Sequence, residues 1–348
     1  MTSASTIYLD NHATTRLDPR VLEAMLPWLT DHYGNAGSVT HEPGREARHA
    51  VESARETFAA AIGAAAREIV FTSGATESAN IAILGSAARV RRQTGGVSRG
   101  HFLTLVTEHT AVLDPLEHLE RSGFHVTRLP VARHGDARDP PGRVRLDDLR
   151  EALRPDTVLV SVLLANNEIG VVQDIPAIAE IAHAAGAILH VDCAQGLGRM
   201  PIDVDRLGAD LASFSGHKSH GPKGTGGLYV RRRGRAVRLE PLVFGGGQER
   251  GLRSGTLDVP GIVGFAAAAR LANADLPGDE ARMRLLRDRL WSLLSHGIDG
   301  VRLNGPALDA CDASGHPIRL VNNLNLHVPG VDGQTLLATL SADGLAVS

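Results

Sequence analysis

Val21, Leu22, Met25, Leu26 and Leu29 recur at helical spacing behind an Asp18-Pro19 start signal, which predicts a helix over 19–29. A second helix is expected over about 44–62, closed by Gly63. Residues 69–71 read as a short strand, Ser73-Gly74 as a tight turn, and the chain from Thr76 as a helix carrying Asn80, Ile81, Ile83 and Leu84. Further on, apolar strands over 102–107, 124–129, 158–164 and 188–191 alternate with helices over 112–122, 146–153 and 175–185, with an exposed loop over 132–145. Strands that are apolar without alternating, and separated by helices, predict a mostly parallel sheet covered on both faces, an α/β fold.

Ligands bind such sheets at the carboxyl ends of the strands. His109, Asn167, Asp192 and Gln195 all fall at or just after a predicted strand end. Each also has a plain reading: His109 as a helix cap, Asn167 as a turn former, Asp192 as a cap for the following loop. The strand, glycine turn and helix start at 69–76 present free backbone N–H groups and a positive dipole end, which suit a phosphate. Together these features make one rim of the sheet a candidate site.

Beyond residue 230 the basic run 231–238 reads as a solvated surface turn. The glycine-rich stretch around Arg250 and Arg253 reads as a flexible loop leading through Pro260 into a helix of small residues. An Arg-rich amphipathic helix over about 279–294 opens a second, smaller lobe, with a strand over 318–326, a helix over 335–340 and the start of a strand at 345–347. Ending at Ser348, in the middle of a strand, implies that a carboxyl-terminal portion is missing.

Composition narrows the class. The 348 residues, 43% hydrophobic and 22% charged with a net charge of −3, suit a two-lobed globular protein and give no electrostatic case for nucleic acid or an anionic membrane as partner. The amino terminus lacks a basic and apolar leader, and no apolar run approaches bilayer length, so a cytoplasmic location without a membrane is expected. Cys193 reads as a small buried residue and Cys311 as an incidental surface thiol. Without HExxH or paired CxxC spacing, no metal is expected.

Only two of the 36 basic residues are lysine, Lys218 and Lys223, five positions apart in SGHKSHGPKG. A chain that uses arginine almost everywhere has kept an amine here, and an amine can condense with a carbonyl where guanidinium cannot. Chance survival of two lysines in a glycine-rich loop is the bland alternative. A phosphate-loop reading fails, because Pro222 stands where that motif needs lysine. Lys218 is therefore a candidate covalent anchor for an aldehyde cofactor, pyridoxal 5'-phosphate.

The motifs YLDNHATT, FTSGATES, TEHTAVL, NNEIGVVQDI, HVDCAQ, SFSGHKSHGPKGTGGLYVR, GGGQERGLRSGT and DGLAVS, in this order, resemble the cysteine desulfurases that supply sulfur for iron–sulfur clusters and tRNA thiolation. The resemblance implies pyridoxal-phosphate fold type I, with a large cofactor-binding domain over 17–265 and a smaller α+β domain from 1–16 and 266–348. It implies an enzyme that converts L-cysteine to L-alanine and a persulfide, works as a homodimer and passes sulfur to an acceptor protein. Lys218 would hold the cofactor as an imine and move the α-proton, Asp192 would pair with the pyridine nitrogen, and His109 would stack on the ring. Gln195 would bond the phenolic oxygen, with Asn167 nearby. Ala75, Thr76, Ser215 and His217 would hold the phosphate, joined by Thr256 of a neighbouring subunit. The family's nucleophilic cysteine follows the final AVS, so neither Cys193 nor Cys311 matches it, and this form is expected to be inactive in sulfur transfer. Asn11 and His12 carry no assignment. A pyridoxal-phosphate C–S lyase or aminotransferase-like relative, or a cofactor-binding scaffold, remains as an alternative.

Overall fold

The computed structural model describes residues 6–136 and 138–348. In chain order the elements are β1 (Ile7–Tyr8), α1 (Pro19–Thr30), α2 (Glu42–Ala61), β2 (Ile69–Thr72), α3 (Ala75–Gln93), β3 (His101–Leu105), α4 (Thr110–Arg121), β4 (His125–Leu129), α5 (Leu146–Ala152), β5 (Thr157–Leu163) and α6 (Ile175–Ala184). They continue with β6 (Ile188–Asp192), β7 (Leu211–Ser215), β8 (Gly226–Val230), α7 (Val259–Gly297), β9 (Arg302–Leu303), β10 (Leu326–His327), α8 (Gly333–Ala342) and β11 (Leu345–Ala346).

Seven strands form the central sheet in the order β2-β8-β7-β6-β5-β3-β4. All neighbours run parallel except β8, which is antiparallel to both β2 and β7. The apolar strands bury both faces, as expected, because each face meets helices. Phe71, Leu103, Val160, Val162 and Phe214 pack with Val51 and Phe58 of α2, Ile178 of α6 and Phe265 of α7. Val70, Phe102, Leu159, Leu211 and Leu228 point the other way, into Ile81 and Ile83 of α3 and Val112 and Leu116 of α4. With strand period two, neighbours in the same strand supply opposite cores.

Several expectations change. The helix of small residues and the Arg-rich helix are one 39-residue helix, α7, with Pro277 inside it. Its buried seam runs through Val259, Ile262, Phe265 and Ala269 to Leu276 beside the proline, and α1 and α2 pack along it. That packing outweighs the backbone hydrogen bond Pro277 removes. The proposed division at residue 265 therefore passes through α7. The strand expected over 318–326 is irregular, with only Leu326 and His327 in a ladder. Buried Arg319 donates instead to the carbonyls of Asn304 (2.8 Å) and Pro306 (2.5 Å) and to Asn323 Oδ1 (2.8 Å).

The basic run is likewise not a free surface turn. Arg233 Nη2 lies 3.0 Å from Oε2 of fully buried Glu68, and Arg231 Nη1 lies 3.0 Å from Asp205. The glycine-rich loop is pinned too: Arg55 donates from Nη1 to Glu249 Oε2 and from Nη2 to Oε1, both at 2.7 Å, in a buried pair. Phe71 N donates to Glu249 Oε2 at 2.7 Å, which ties the loop to β2.

Candidate active site

The site starts where β2 turns into α3. Gly74 has φ +147, a conformation glycine adopts freely, and no side chain caps the first turn of α3. Gly226 on β8 lets the turn approach: a Cβ there would lie 2.6 Å from Gly74 Cα. The amino end of α3 thus opens beside Ser215, the last residue of β7. After Ser215 the chain makes a single 3-10 turn over Gly216–Lys218, which delivers Lys218 to the same rim.

A strap from the amino terminus closes over that turn. The Thr15 N–H (2.8 Å) and Oγ1 (2.9 Å) both donate to the His217 carbonyl. His217 Nδ1 lies 3.0 Å from Thr14 Oγ1, and His220 N donates to Thr15 Oγ1 at 2.7 Å.

A cavity of about 470 Å³ lies between these parts, lined by Ala75, Thr76, His109, Asn167, Asp192, Gln195, Ser215, His217 and Lys218. The structure thus brings together every expected site residue except Thr256, which is exposed outside its own chain's cavity. His109 is both cap and lining: its Nδ1 accepts from Ala111 N at 3.0 Å, so the neutral ring carries its proton on Nε2. Asp192 Oδ1 accepts from Ala194 N at 2.9 Å, while Oδ2 has no hydrogen-bond partner among the described residues.

Charge in the cavity is finely set. Burial pushes the Asp192 carboxyl up, against the Lys218 and His109 charges, which favour its ionised form. Burial also pushes the Lys218 amine down, assisted by the Arg199 cation and opposed by Asp192. No carboxylate lies within ion-pair distance of Lys218 among the described residues. The His217 imidazole is pushed down by burial and then by the Lys218, Lys223 and Arg199 cations. Behind Asp192, buried Glu108 accepts from Leu163 N at 2.8 Å and is pushed well up by burial, with Asp192 adding to the shift.

Neither cysteine reaches the cavity. Cys193 is fully buried, its thiol pushed well up by burial, and Cys311 is exposed with Sγ 3.5 Å from the Asp309 carbonyl.

The model of aminotransferase class V matches residues 7–348. The chain belongs to the aminotransferase class V family. This class V chain is 49% identical over 342 residues to the cysteine desulfurase IscS of Anaeromyxobacter dehalogenans (strain 2CP-C), covering 98% of this chain and 79% of that protein. Among solved structures it resembles a NifS-like protein (TM-score 0.87, 39% identity, 99% of this chain and 87% of that one). It also resembles SspA in complex with cysteine (TM-score 0.78, 33% identity, 99% and 89%). The expected fold, the cysteine desulfurase resemblance and pyridoxal phosphate as cofactor are borne out.

The residues present fit that cofactor. An uncapped helix end with Ser215 and His217 suits a phosphate, the free Oδ2 of Asp192 suits a protonated ring nitrogen, and Lys218 without a carboxylate partner suits an aldehyde. Reasoning from strand ends missed Thr14, Glu77 and Lys223 of the lining, and it missed His12 and Arg199 around Gln195. Thr14 and His12 lie in an irregular segment before the first helix, where periodicity is silent.

Proposed function

We propose that the chain removes sulfur from L-cysteine, releasing L-alanine and passing the sulfur to an acceptor protein. One observation carries this reading: Lys218, half-buried and without a carboxylate partner among the described residues, shares a cavity with Asp192 and the open end of α3. When bound there, pyridoxal phosphate supplies an electron sink for the carbanion left by α-proton removal.

The chain's own residues do the rest. Burial pushes the Lys218 amine down from its ordinary value, and Nζ is the group that would hold the cofactor's aldehyde carbon and carry a proton to or from the substrate α-carbon. Asp192 Oδ2 would hold the proton of the ring nitrogen. His109, its Nδ1 tied to α4, offers Nε2 and a ring face, and Asn167 and Gln195 orient the group's polar edge. The N–H groups of Ala75 and Thr76, with Ser215 and His217, hold the phosphate, completed by Thr256 of the partner subunit in a homodimer. Support for that dimer is the exposure of Thr256 and of Tyr33 and Phe244, which are 84% and 80% exposed in the single chain. Two free cysteines accord with a reducing cytoplasm as the place of action.

The same lysine-centred chemistry also serves a C–S lyase, which is the competing reading. Products distinguish the two: alanine for the desulfurase, pyruvate for the lyase. The central test is Lys218→Ala. The unmodified chain is expected to be yellow with borohydride-reducible cofactor, and the variant to hold none covalently. Reducible cofactor in the variant would remove Lys218 from the proposal.

A further inference from the structure

Arg199 sits in the first turn after Gln195 and is 6% exposed, yet it has no carboxylate within ion-pair distance among the described residues. Its Nη1 donates to Gln195 Oε1 (2.5 Å) and to the Gln195 carbonyl (3.3 Å), and Nη2 donates to the Asn11 carbonyl (2.8 Å). A buried cation left without an anion is expensive to keep. Burial brings its pKa down to about 10.

The geometry decides which way the Gln195 amide points. Guanidinium only donates, so the atom that meets Nη1 must be the acceptor, Oε1. On the other side the His12 carbonyl, an acceptor, lies 2.9 Å from Nε2 and needs a donor there. His12 Nδ1, 3.1 Å from the same Oε1, must then carry its ring proton. Both amide atoms are fixed, and one N–H of Nε2 remains uncommitted in a residue that lines the cavity.

We infer that Arg199 is a positioning residue for cofactor binding, which holds the Gln195 amide with a free N–H toward the cavity and sets a lone positive charge beside Lys218. This rests on the pyridoxal-phosphate reading and extends it. An anionic cofactor brings the negative charge that the buried guanidinium lacks, and the fixed N–H suits an oxygen that carries such charge. Asp192 on β6, His109 at the start of α4, Glu77 on α3, and His217 and Lys223 on the lysine loop complete the charged and titratable groups of the cavity.

The test is the pH titration of the visible absorbance of cofactor bound at Lys218, with the cofactor dissociation constant and melting temperature measured alongside. Arg199→Leu removes both donor and charge, so the chromophore's pKa should rise by about one unit, a tenfold change in proton affinity, and cofactor affinity should fall about tenfold. Arg199→Gln keeps a donor and loses the charge, so a smaller rise is expected. Neither leaves a buried carboxylate unpaired, so both variants should fold, and a merely structural role would move the melting temperature without the chromophore's pKa. In a Gln195→Leu background, Arg199→Leu should shift the chromophore's pKa by clearly less than in the unmodified chain, because only the effect of the charge remains. A chromophore titrating alike in the unmodified and Arg199→Leu chains would overturn the inference alone, as would a full, additive shift in the Gln195→Leu background. A chromophore absent from the unmodified chain would overturn the cofactor reading, and the inference with it.

Discussion

Arg55 of α2 and Glu249 of the glycine-rich loop, 194 positions apart, meet as a buried fork-to-fork ion pair with both N–O distances at 2.7 Å. The loop around the pair is held in an unusual shape, with φ +47 at Glu249 and +57 at Arg250. Non-glycine residues adopt that region at a cost of roughly 1–2 kcal/mol each, so something must hold them there. Arg253 Nε, 2.9 Å from Glu77 Oε1 on α3, ties the far side of the loop to the cavity wall.

Glu249→Gln should therefore destabilise the protein by about 3–5 kcal/mol, because it leaves Arg55 charged and buried. Denaturant titration measures this. Arg55→Met with Glu249→Met should recover much of the loss; a single variant as stable as the parent would contradict a structural role for the pair.

Asp192→Asn should retain bound cofactor and lose roughly 10²-fold or more of its exchange of amino-acid α-protons with deuterated solvent. Without the carboxylate the ring nitrogen gives up its proton. Proton NMR of the substrate α-position reads the rate, and undiminished exchange would take Asp192 out of the chemistry.

Acid should weaken the fold through two histidines. His190, fully buried between Ser161 Oγ (2.8 Å) and Ser213 Oγ (2.7 Å), is pushed down to about 3 by burial, and His12 down to about 4 by burial and the Arg199 charge. Their folded pKa values lie below the unfolded one near 6.5, so between there and about pH 4 the unfolded chain binds more protons and stability falls as pH falls. From pH 7 to 5 the loss is on the order of 2 kcal/mol per histidine. His190→Gln should be less stable at pH 7 but show a shallower fall to pH 5; an unchanged slope would place the acid sensitivity elsewhere.

Cys311→Ser should change stability by no more than about 0.5 kcal/mol, since the thiol is exposed. Cys193→Ser should cost about 1–3 kcal/mol by placing a hydroxyl in an apolar core. Both should keep their reducible cofactor. Alanine formation from L-cysteine by residues 1–348 that disappears in Cys311→Ser would make that thiol the sulfur acceptor after all.

Strand ends proved the readable part of the site. Asp192 closes a strand and His109 follows one closely, so the apolar runs before them announced where they would sit, whereas Ser215, at the end of a strand not expected, came only with the family resemblance. Lys218 was legible for another reason, the near absence of lysine elsewhere. What stayed hidden depends on partners far away in sequence. Nothing local shows that Glu249 will meet Arg55, that Glu68 will take Arg233, or that Arg199 will reach Asn11. The two helices expected after Pro260 and over about 279–294 are one, because packing on α1 and α2 carries α7 through Pro277.

The pairing of the first strand with the last gives the strap over Lys218 a timetable. Ile7 pairs with Leu345 and Tyr8 with Ala346, while Thr14 and Thr15, a few residues on, fasten the lysine turn. A ribosome adding about 5–20 residues per second needs tens of seconds to pass from one partner to the other. For that interval the emerging strap has nothing to hold its leading end. The sheet and the fastening of Thr14 and Thr15 can form early, but the strap's leading strand can pair only once synthesis has passed residue 346.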